Sequence, residues 1–166
     1  DEGVLIPTPN TNFDYTRDIY ALYGNYNRKI DKWSYQLGLR LENVDVSALA
    51  VQTSQPLNTS TENRFSNDYF EFYPSAYITY ESSDKNSFQL NYSRRIDRPG
   101  IGQINPIKEW STPLVSSYGN INLQPQFTNS VEFNYIRNIK GGSVTFGTYY
   151  RQISNEINRA LFIDRS

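Results

Sequence analysis

The chain has 166 residues, a formal net charge of -1 and no His, Cys or Met. This composition excludes imidazole bases, thiolate nucleophiles, disulfides and zinc sites built from Cys and His within these residues. The 16 basic and 17 acidic residues are spread along the chain, so no basic stripe exists to bind a phosphate backbone and we expect no nucleic-acid partner. We also expect no metal and no other cofactor. The chain begins at Asp1 without a signal peptide, so we expect it to be a processed or excised part of a longer protein.

The hydrophobic pattern has a period of two residues, which is typical of β-strands with one apolar and one polar face. It is clearest from Trp33 to Glu42, where apolar and polar side chains alternate without a break. An aromatic fraction of 15% also favours strands over helices. The pattern predicts six strands, at about 16–27, 33–44, 69–80, 87–96, 127–137 and 143–152.

The predicted connections alternate between short and long. Short turns rich in small and polar residues lie at 28–32, 81–86 and 138–142, and long connections lie at about 45–68 and 97–126. All tight turns therefore fall at one end of the sheet and all long loops at the other. This arrangement is typical of an outer-membrane barrel with short periplasmic turns and long external loops.

Strand length supports the same interpretation. About ten residues at ~3.4 Å each, tilted by about 45°, rise ~24 Å, which is close to the ~25 Å apolar band of such barrels. Aromatic side chains next to the tight turns are expected to form a lipid-facing girdle: Tyr26, Trp33, Tyr80, Phe88 and Tyr135. A second belt is expected at the opposite rim, formed by Tyr20, Tyr92, Phe127 and Tyr150. The predicted fold class is an all-β, antiparallel, up-and-down transmembrane β-barrel in the bacterial outer membrane.

A soluble β-sandwich remains an alternative. Its strands also alternate, with the apolar face packed on a second sheet and the polar face in water. A sandwich domain would dissolve in buffer without detergent, whereas a barrel wall would not.

Several motifs carry a family resemblance. Residues 92–99 read Tyr-Ser-Arg-Arg-Ile-Asp-Arg-Pro, residues 104–106 read Ile-Asn-Pro, and residues 119–128 read Gly-Asn-Ile-Asn-Leu-Gln-Pro-Gln-Phe-Thr. Together with Gly38–Glu42 and Phe72–Ser75, they resemble the barrel portion of TonB-dependent outer-membrane receptors, in the subgroup described as the outer-membrane β-barrel family. The family commonly has Pro where this chain has Ile121.

The resemblance implies a barrel of about 22 strands that is plugged by an N-terminal domain and imports scarce nutrients. The implied partners are outer-membrane lipid, the remaining barrel strands, a plug domain absent from this chain and, through that plug, the TonB energy-coupling system. The ligand class stays open among siderophores, vitamins, peptides and glycans. Because six strands would leave two edges unpaired in lipid, we expect strands on both sides of this segment, or edges supplied by neighbours.

The arginine cluster near residues 94–98 has two interpretations. Arg95 and Arg98 suit an anionic ligand, because guanidinium groups bind carboxylate and phosphate. Alternatively, the cluster is a network of ion pairs at the rim, with Asp97, Glu132 or lipopolysaccharide headgroups as partners. By the same reasoning Arg40 and Glu42 on one row inside the barrel are expected first to form a charge pair and only second to line a solute path, and the same holds for Glu132 and Arg151 on other rows.

The long connection 97–126 contains the other candidate ligand-binding residues. Trp110 and Tyr118 could stack on a sugar or an aromatic ligand, and three polar side chains could hydrogen-bond it: Asn105, Glu109 and Asn120. In the alternative interpretation, the prolines of this segment brace the loop. No catalytic pattern is present, so an enzyme is not expected. A surface or assembly module that binds a protein partner without transporting anything is the main functional alternative.

Overall fold

A computed structural model of the chain describes residues 9–54, 59–112 and 115–163. In chain order the elements are β1 (Pro9–Ile30), β2 (Trp33–Ser54), β3 (Thr59–Ser83), β4 (Asn86–Asp97), α1 (Ile101–Ile104), β5 (Glu109–Thr112), β6 (Val115–Ser117), β7 (Gln126–Ile139) and β8 (Gly142–Ser154). Six long strands form one sheet in the order β1-β2-β3-β4-β7-β8, and β5 and β6 form a separate hairpin. The predicted all-β, up-and-down architecture with six strands is confirmed. Among the described residues, no helix has the length and hydrophobicity needed to cross a membrane.

Three two-residue turns join the strands at one end of the sheet. They are Asp31–Lys32, Asp84–Lys85 and Lys140–Gly141. Backbone hydrogen bonds link neighbouring turns. The Glu81 amide donates to the Lys32 carbonyl at 2.8 Å, and the Asn138 amide donates to the Lys85 carbonyl at 2.7 Å. The three turns therefore lie side by side, as the sequence predicts.

The first three strands are longer than predicted. The segment 45–68 was expected to be a connection, but β2 continues to Ser54 and β3 begins at Thr59. The reason is visible in β2, where the alternation changes phase after Leu41. Before this point the odd positions are apolar and exposed, as at Leu37 and Leu39; after it the even positions are apolar and buried: Val44, Val46, Ala48 and Ala50.

The odd positions of β2 change in the opposite sense, to the exposed and polar Asn43, Asp45 and Ser47. A prediction based on one continuous alternation therefore ends the strand near residue 43, although β2 continues to Ser54. A matching change occurs along β1 and β3, which run toward the tight turns, whereas β2 runs away from them. Their exposed even positions change from polar to apolar, between Asp18 and Tyr20 on β1 and between Asp68 and Phe70 on β3. The phase change marks the level at which each strand passes from one environment to another.

By contact clustering the chain divides into two compact units. One consists of the described residues within Asp1–Tyr20, Asn43–Tyr69 and Pro99–Gln124, and is called the hairpin unit. The other consists of Ala21–Glu42, Phe70–Arg98 and Pro125–Ser166, and is called the wall unit. Each phase change falls at or next to a boundary between the two.

The hairpin unit has a small apolar core. Its buried apolar side chains are Val44, Val46, Ala48 and Ala50 on β2 and Ile104 on α1. The predicted connection 97–126 is more ordered than a simple loop, since it contains α1 and the β5–β6 hairpin. Two backbone bonds close it: Gly119 donates to the Asn105 carbonyl at 2.6 Å, and Asn120 donates to the Gln103 carbonyl at 2.8 Å. A side chain at position 119 would overlap the Gln103 carbonyl, so this close approach requires glycine.

The wall unit has one face covered by aromatic rings. The Trp33 and Tyr80 rings lie 4.5 Å apart, the Phe88 and Tyr135 rings 5.1 Å apart, and Phe88 lies 6.4 Å from both Tyr80 and Phe133. Strand register places these rings in one row, because Tyr80 pairs with Phe88 and Phe88 pairs with Tyr135. We call this the apolar face. Leu37, Leu39 and Leu90 are exposed in the same alternation, which extends the face away from the turns.

Candidate functional site

The opposite side of the wall unit is polar. Side chains alternate between the two faces of a strand, so the residues next to Tyr80, Phe88 and Tyr135 point away from the apolar face. Three consecutive rows of this polar face run across β3, β4, β7 and β8. They are Thr79–Gln89–Asn134–Gly147, Tyr77–Asn91–Glu132–Tyr149 and Ser75–Ser93–Ser130–Arg151.

A buried carboxylate organises the arginines of the wall unit. Glu42 is 1% exposed, and its two oxygens form ion pairs with Arg40 and Arg98. Arg98 is itself only 17% exposed. Because two guanidinium groups share one carboxylate, the cluster carries a net positive charge, although its buried part is paired.

A second ion pair involves Arg94. Its Nη2 donates to Glu71 Oε2 at 2.9 Å, and the guanidinium lies over the rings of Phe127 and Phe72, with its Cζ 4.9 and 5.3 Å from their centroids. Arg94 Nε is buried and has no hydrogen-bond partner among the described residues. The rings therefore hold this guanidinium flat, which is a common arrangement for arginine beside aromatic side chains.

The predicted anion-binding arginines occupy different environments. Arg98 is held by Glu42, whereas Arg95 is exposed and pairs across β4 and β7 with Thr128. The ion-pair interpretation anticipated Asp97 or Glu132 as partners, but the arginines pair with Glu42 and Glu71 instead. Glu42 and Glu71 lie on other strands, so only the register of the sheet brings them to these arginines.

The remaining candidates lie in the hairpin unit. Asn105 Oδ1 accepts the amide of Ile107 at 3.1 Å, and Asn120 Oδ1 accepts that of Asn122 at 3.0 Å, so both side chains support local turns. Tyr118 is 66% exposed, and Glu109 is also exposed. Glu109 and Trp110 belong to β5, where the backbone of Trp110 pairs with Ser116. The side chain of Trp110 lies outside the described parts of the structure.

The five predicted girdle residues all belong to the wall unit. Trp33, Tyr80, Phe88 and Tyr135 form the aromatic row of the apolar face. Tyr26 is 50% exposed on β1, and its hydroxyl accepts a 3.4 Å hydrogen bond from Arg28. Of the second belt, Tyr92 and Tyr150 share one row, since each pairs with Val131.

One row of the polar face was not anticipated from the sequence. Tyr77, Asn91, Glu132 and Tyr149 follow one another across four strands. Tyr77 and Tyr149, at the two ends of this row, are 72 positions apart in the sequence, so no local motif reveals the row. Tyr77 also borders a groove of about 390 Å³, whose other lining residues are Asn27, Arg28, Lys29, Ser34, Tyr35, Gln36 and Thr79.

No metal centre is evident in these parts of the chain. In the ranges 9–54, 59–112 and 115–163, no group of three or more acidic side chains is placed to hold a metal ion. The polar face instead offers amides, hydroxyls, rings and paired charges, which suit hydrogen bonding and stacking.

A sheet of long antiparallel strands with an exposed apolar face and a polar reverse face is typical of the class of outer-membrane β-barrel proteins. Comparison with protein families agrees with the fold: residues 1–166 match the outer membrane protein beta-barrel family, and the chain belongs to this family. It is therefore a protein of the bacterial outer membrane. Comparison with curated proteins gave no match, and comparison with solved structures gave none either.

Proposed function

We propose that this chain forms part of the wall of a TonB-dependent outer-membrane receptor that imports a nutrient ligand. The observation that carries the proposal is the pairing of an exposed apolar face with a polar face in a sheet whose two edge strands, β1 and β8, do not pair with each other. A sheet of this kind lines a lumen wider than six strands can enclose. Wide barrels with a polar lumen serve transport.

The apolar face contacts lipid in this proposal. Its aromatic row lies next to the tight turns, where amphipathic rings meet the headgroups, and its aliphatic side chains lie further from the turns. The free edges of β1 and β8 then pair with the remaining barrel strands, because unpaired backbone groups in lipid cost several kcal/mol each. The proposed partners are thus lipid and further strands of the barrel.

The polar face supports a filled lumen. Charge on it is balanced in part by the Glu42 ion pairs, and its rows present amide and hydroxyl groups. A plug domain seated on this surface would couple the barrel to the TonB system. The long segment 99–124 and the β2–β3 hairpin would lie on the external side, where Arg95, Glu109, Trp110 and Tyr118 are candidates for ligand capture.

Uptake measurements test the proposal. Cells with and without the intact gene are given labelled ferric siderophore, cobalamin, a short peptide and a neutral oligosaccharide, each with the TonB system intact and disabled. We expect one ligand class to enter only when both the gene and TonB are present. If no uptake depends on the gene while a protein partner co-purifies with the intact chain, the surface or assembly module is the correct function.

A further inference from the structure

We propose that the turn end of the wall unit, which carries the three tight turns, binds the phosphate headgroups of anionic phospholipids. The basic side chains in or beside these turns supply the binding surface. We call them the basic rim: Arg28, Lys32, Lys85, Arg137 and Lys140. The inference rests on the lipid-facing wall of the proposed function, and it adds the class of lipid that this wall selects.

The turn end carries an excess of positive charge. Residues 28–32, 81–86 and 137–141 contain six basic and three acidic side chains, although the whole chain has a formal net charge of -1. One of the three carboxylates is already paired, since Glu81 lies 3.0 Å from the Lys29 ammonium. Within the described residues, no ion pair neutralises a member of the basic rim. The rim therefore attracts an anion from outside the sheet.

Arg137 lies at the depth of lipid headgroups. It pairs with Asn86 in the strand register, two residues nearer the turns than the aromatic pair Phe88–Tyr135, and it shares the face of Tyr135. Two residues at ~3.4 Å each, on a strand tilted by about 45°, correspond to ~5 Å along the membrane normal. The headgroup layer on each side of a bilayer is roughly 5–8 Å thick. Because aromatic rings lie at the edge of the hydrocarbon, Arg137 lies among the phosphates.

Hydrogen bonds hold the turn beside Arg137 in place. The Asn138 amide donates to the Lys85 carbonyl at 2.7 Å, so the backbone of Lys85 is fixed next to the strand that carries Arg137. On the apolar face, the Tyr135 hydroxyl donates to Asn86 Oδ1 at 2.7 Å. The flexible Lys85 side chain can therefore reach the same phosphate as the Arg137 guanidinium.

The two ends of the apolar face differ in how their cations are neutralised. Arg94 lies toward the other end, in alternation with Leu90 and Tyr92, and its charge is paired with Glu71 at 2.9 Å. Arg137 forms no such pair with the described residues. On a lipid-facing wall the nearest counter-charge to the basic rim is a phospholipid phosphate. An acidic segment of another protein would also supply negative charge, but it would not need aromatic rings at the adjacent depth.

Competition between lipids around the intact protein tests the inference. Phe88→Trp places a fluorescent reporter beside the Asn86–Arg137 pair, and its signal is the difference from the unmodified protein. Both proteins are placed in phosphatidylcholine nanodiscs that contain a growing fraction of brominated phosphatidylglycerol or, as reference, brominated phosphatidylcholine, because bromine quenches nearby tryptophan. We expect phosphatidylglycerol to be enriched about fivefold next to the reporter at low salt. At about 0.5 M salt the enrichment should fall below about twofold, since salt screens exposed charges.

Matched double variants separate the basic rim from a general effect of charge. Lys85→Gln/Arg137→Gln in the reporter protein should abolish the enrichment. The control, Lys29→Gln/Arg151→Gln, removes the same two residue types from the polar face and should leave the enrichment unchanged. All four side chains are exposed, so neither double variant removes a buried contact.

Three results would overturn the inference. They are equal quenching by the two brominated lipids at low salt, enrichment that survives Lys85→Gln/Arg137→Gln, and enrichment that the control variant loses to the same extent. A labelled hexaglutamate peptide, added to the protein in pure phosphatidylcholine nanodiscs, tests the other occupant. Its binding without enrichment of phosphatidylglycerol would assign the basic rim to an acidic protein segment. If neither brominated lipid quenches the reporter, the apolar face does not contact lipid, and the wall of the proposed function fails together with this inference.

Discussion

Glu42 is the most deeply buried charged side chain of the described residues, and its environment explains why it tolerates burial. Arg40 and Arg98 each form an ion pair with it, so both carboxylate oxygens are satisfied. A buried ion pair adds little stability over an apolar pair, but removing one partner leaves the other charge unmatched. The stability of the fold should therefore be sensitive to loss of the Glu42 carboxylate.

Replacing Glu42 with Gln should destabilise the protein. The substitution keeps the size of the side chain but removes the carboxylate that forms ion pairs with Arg40 and Arg98, and Arg98 is only 17% exposed. We expect the free energy of unfolding to fall by about 2–3 kcal/mol. Urea unfolding of the protein refolded in lipid vesicles measures this change.

Glu62 provides the control for this experiment. It pairs with Arg64 at 3.1 Å, but the two side chains are 49% and 74% exposed. Exposed pairs contribute less than about 1 kcal/mol, so Glu62→Gln should have little effect. Equal losses for the two variants would contradict the importance of burial at Glu42.

At the scale of the strand, β2 passes through two environments. Its odd-numbered positions include the exposed apolar Trp33, Leu37 and Leu39 before the phase change and the exposed polar Asn43, Asp45 and Ser47 after it. Exposed leucines are stable in lipid and exposed Asp and Ser are stable in water. The change of phase between Leu41 and Asn43 therefore marks the membrane boundary along this strand in the proposed arrangement.

The same substitution should have different effects on the two sides of this boundary. Arg at Leu39 would place a charge on the lipid-facing surface and should cost about 2–4 kcal/mol, with the larger value near the bilayer centre. Arg at Ser47 should cost nearly nothing, because that side chain is exposed above the boundary. Folding free energies in vesicles of defined lipid compare the two. Similar values for Leu39→Arg and Ser47→Arg would show that Leu39 does not contact lipid.

The sequence predicts local features of these elements well. The six strands and the three tight turns follow from a period of two residues and from turn chemistry, which are both short-range signals. The upper halves of β1, β2 and β3 were missed, because the apolar phase shifts at the boundary and each strand then resembles a loop. The pairing of Arg98 with Glu42 was missed for another reason: the residues are 56 positions apart, and only strand register brings them together.

The candidate ligand residues show the same limit. Residue type and position in or beside the long connection make Tyr118 and Arg95 candidates from the sequence, but they do not reveal that Asn105 and Asn120 support turns through their side-chain oxygens. Nor does the sequence show that Tyr77 and Tyr149 lie in one row. The first question depends on local turns, in which each Asn side chain accepts the amide two residues further on, and the second depends on non-local strand pairing.

At the scale of the whole molecule, the positions of the turns and of the hairpin predict an orientation. The two-residue turns are compact and linked by backbone hydrogen bonds, whereas the β2–β3 hairpin extends to Ser54 and Thr59. In outer-membrane barrels the short turns are periplasmic and the longer connections are extracellular. We therefore expect Asp84 to lie on the periplasmic side and Ser66 on the cell surface.

Labelling of single introduced cysteines tests this orientation. The chain contains no Cys, so a thiol signal above that of the unmodified intact protein comes from the introduced residue. Both Ser66 and Asp84 are exposed. In intact cells a membrane-impermeant maleimide should label Ser66→Cys but not Asp84→Cys, and permeabilising the outer membrane should make the second site reactive. Labelling of Asp84→Cys alone in intact cells would reverse the orientation, and it would move the candidate ligand residues of segment 99–124 to the periplasmic side.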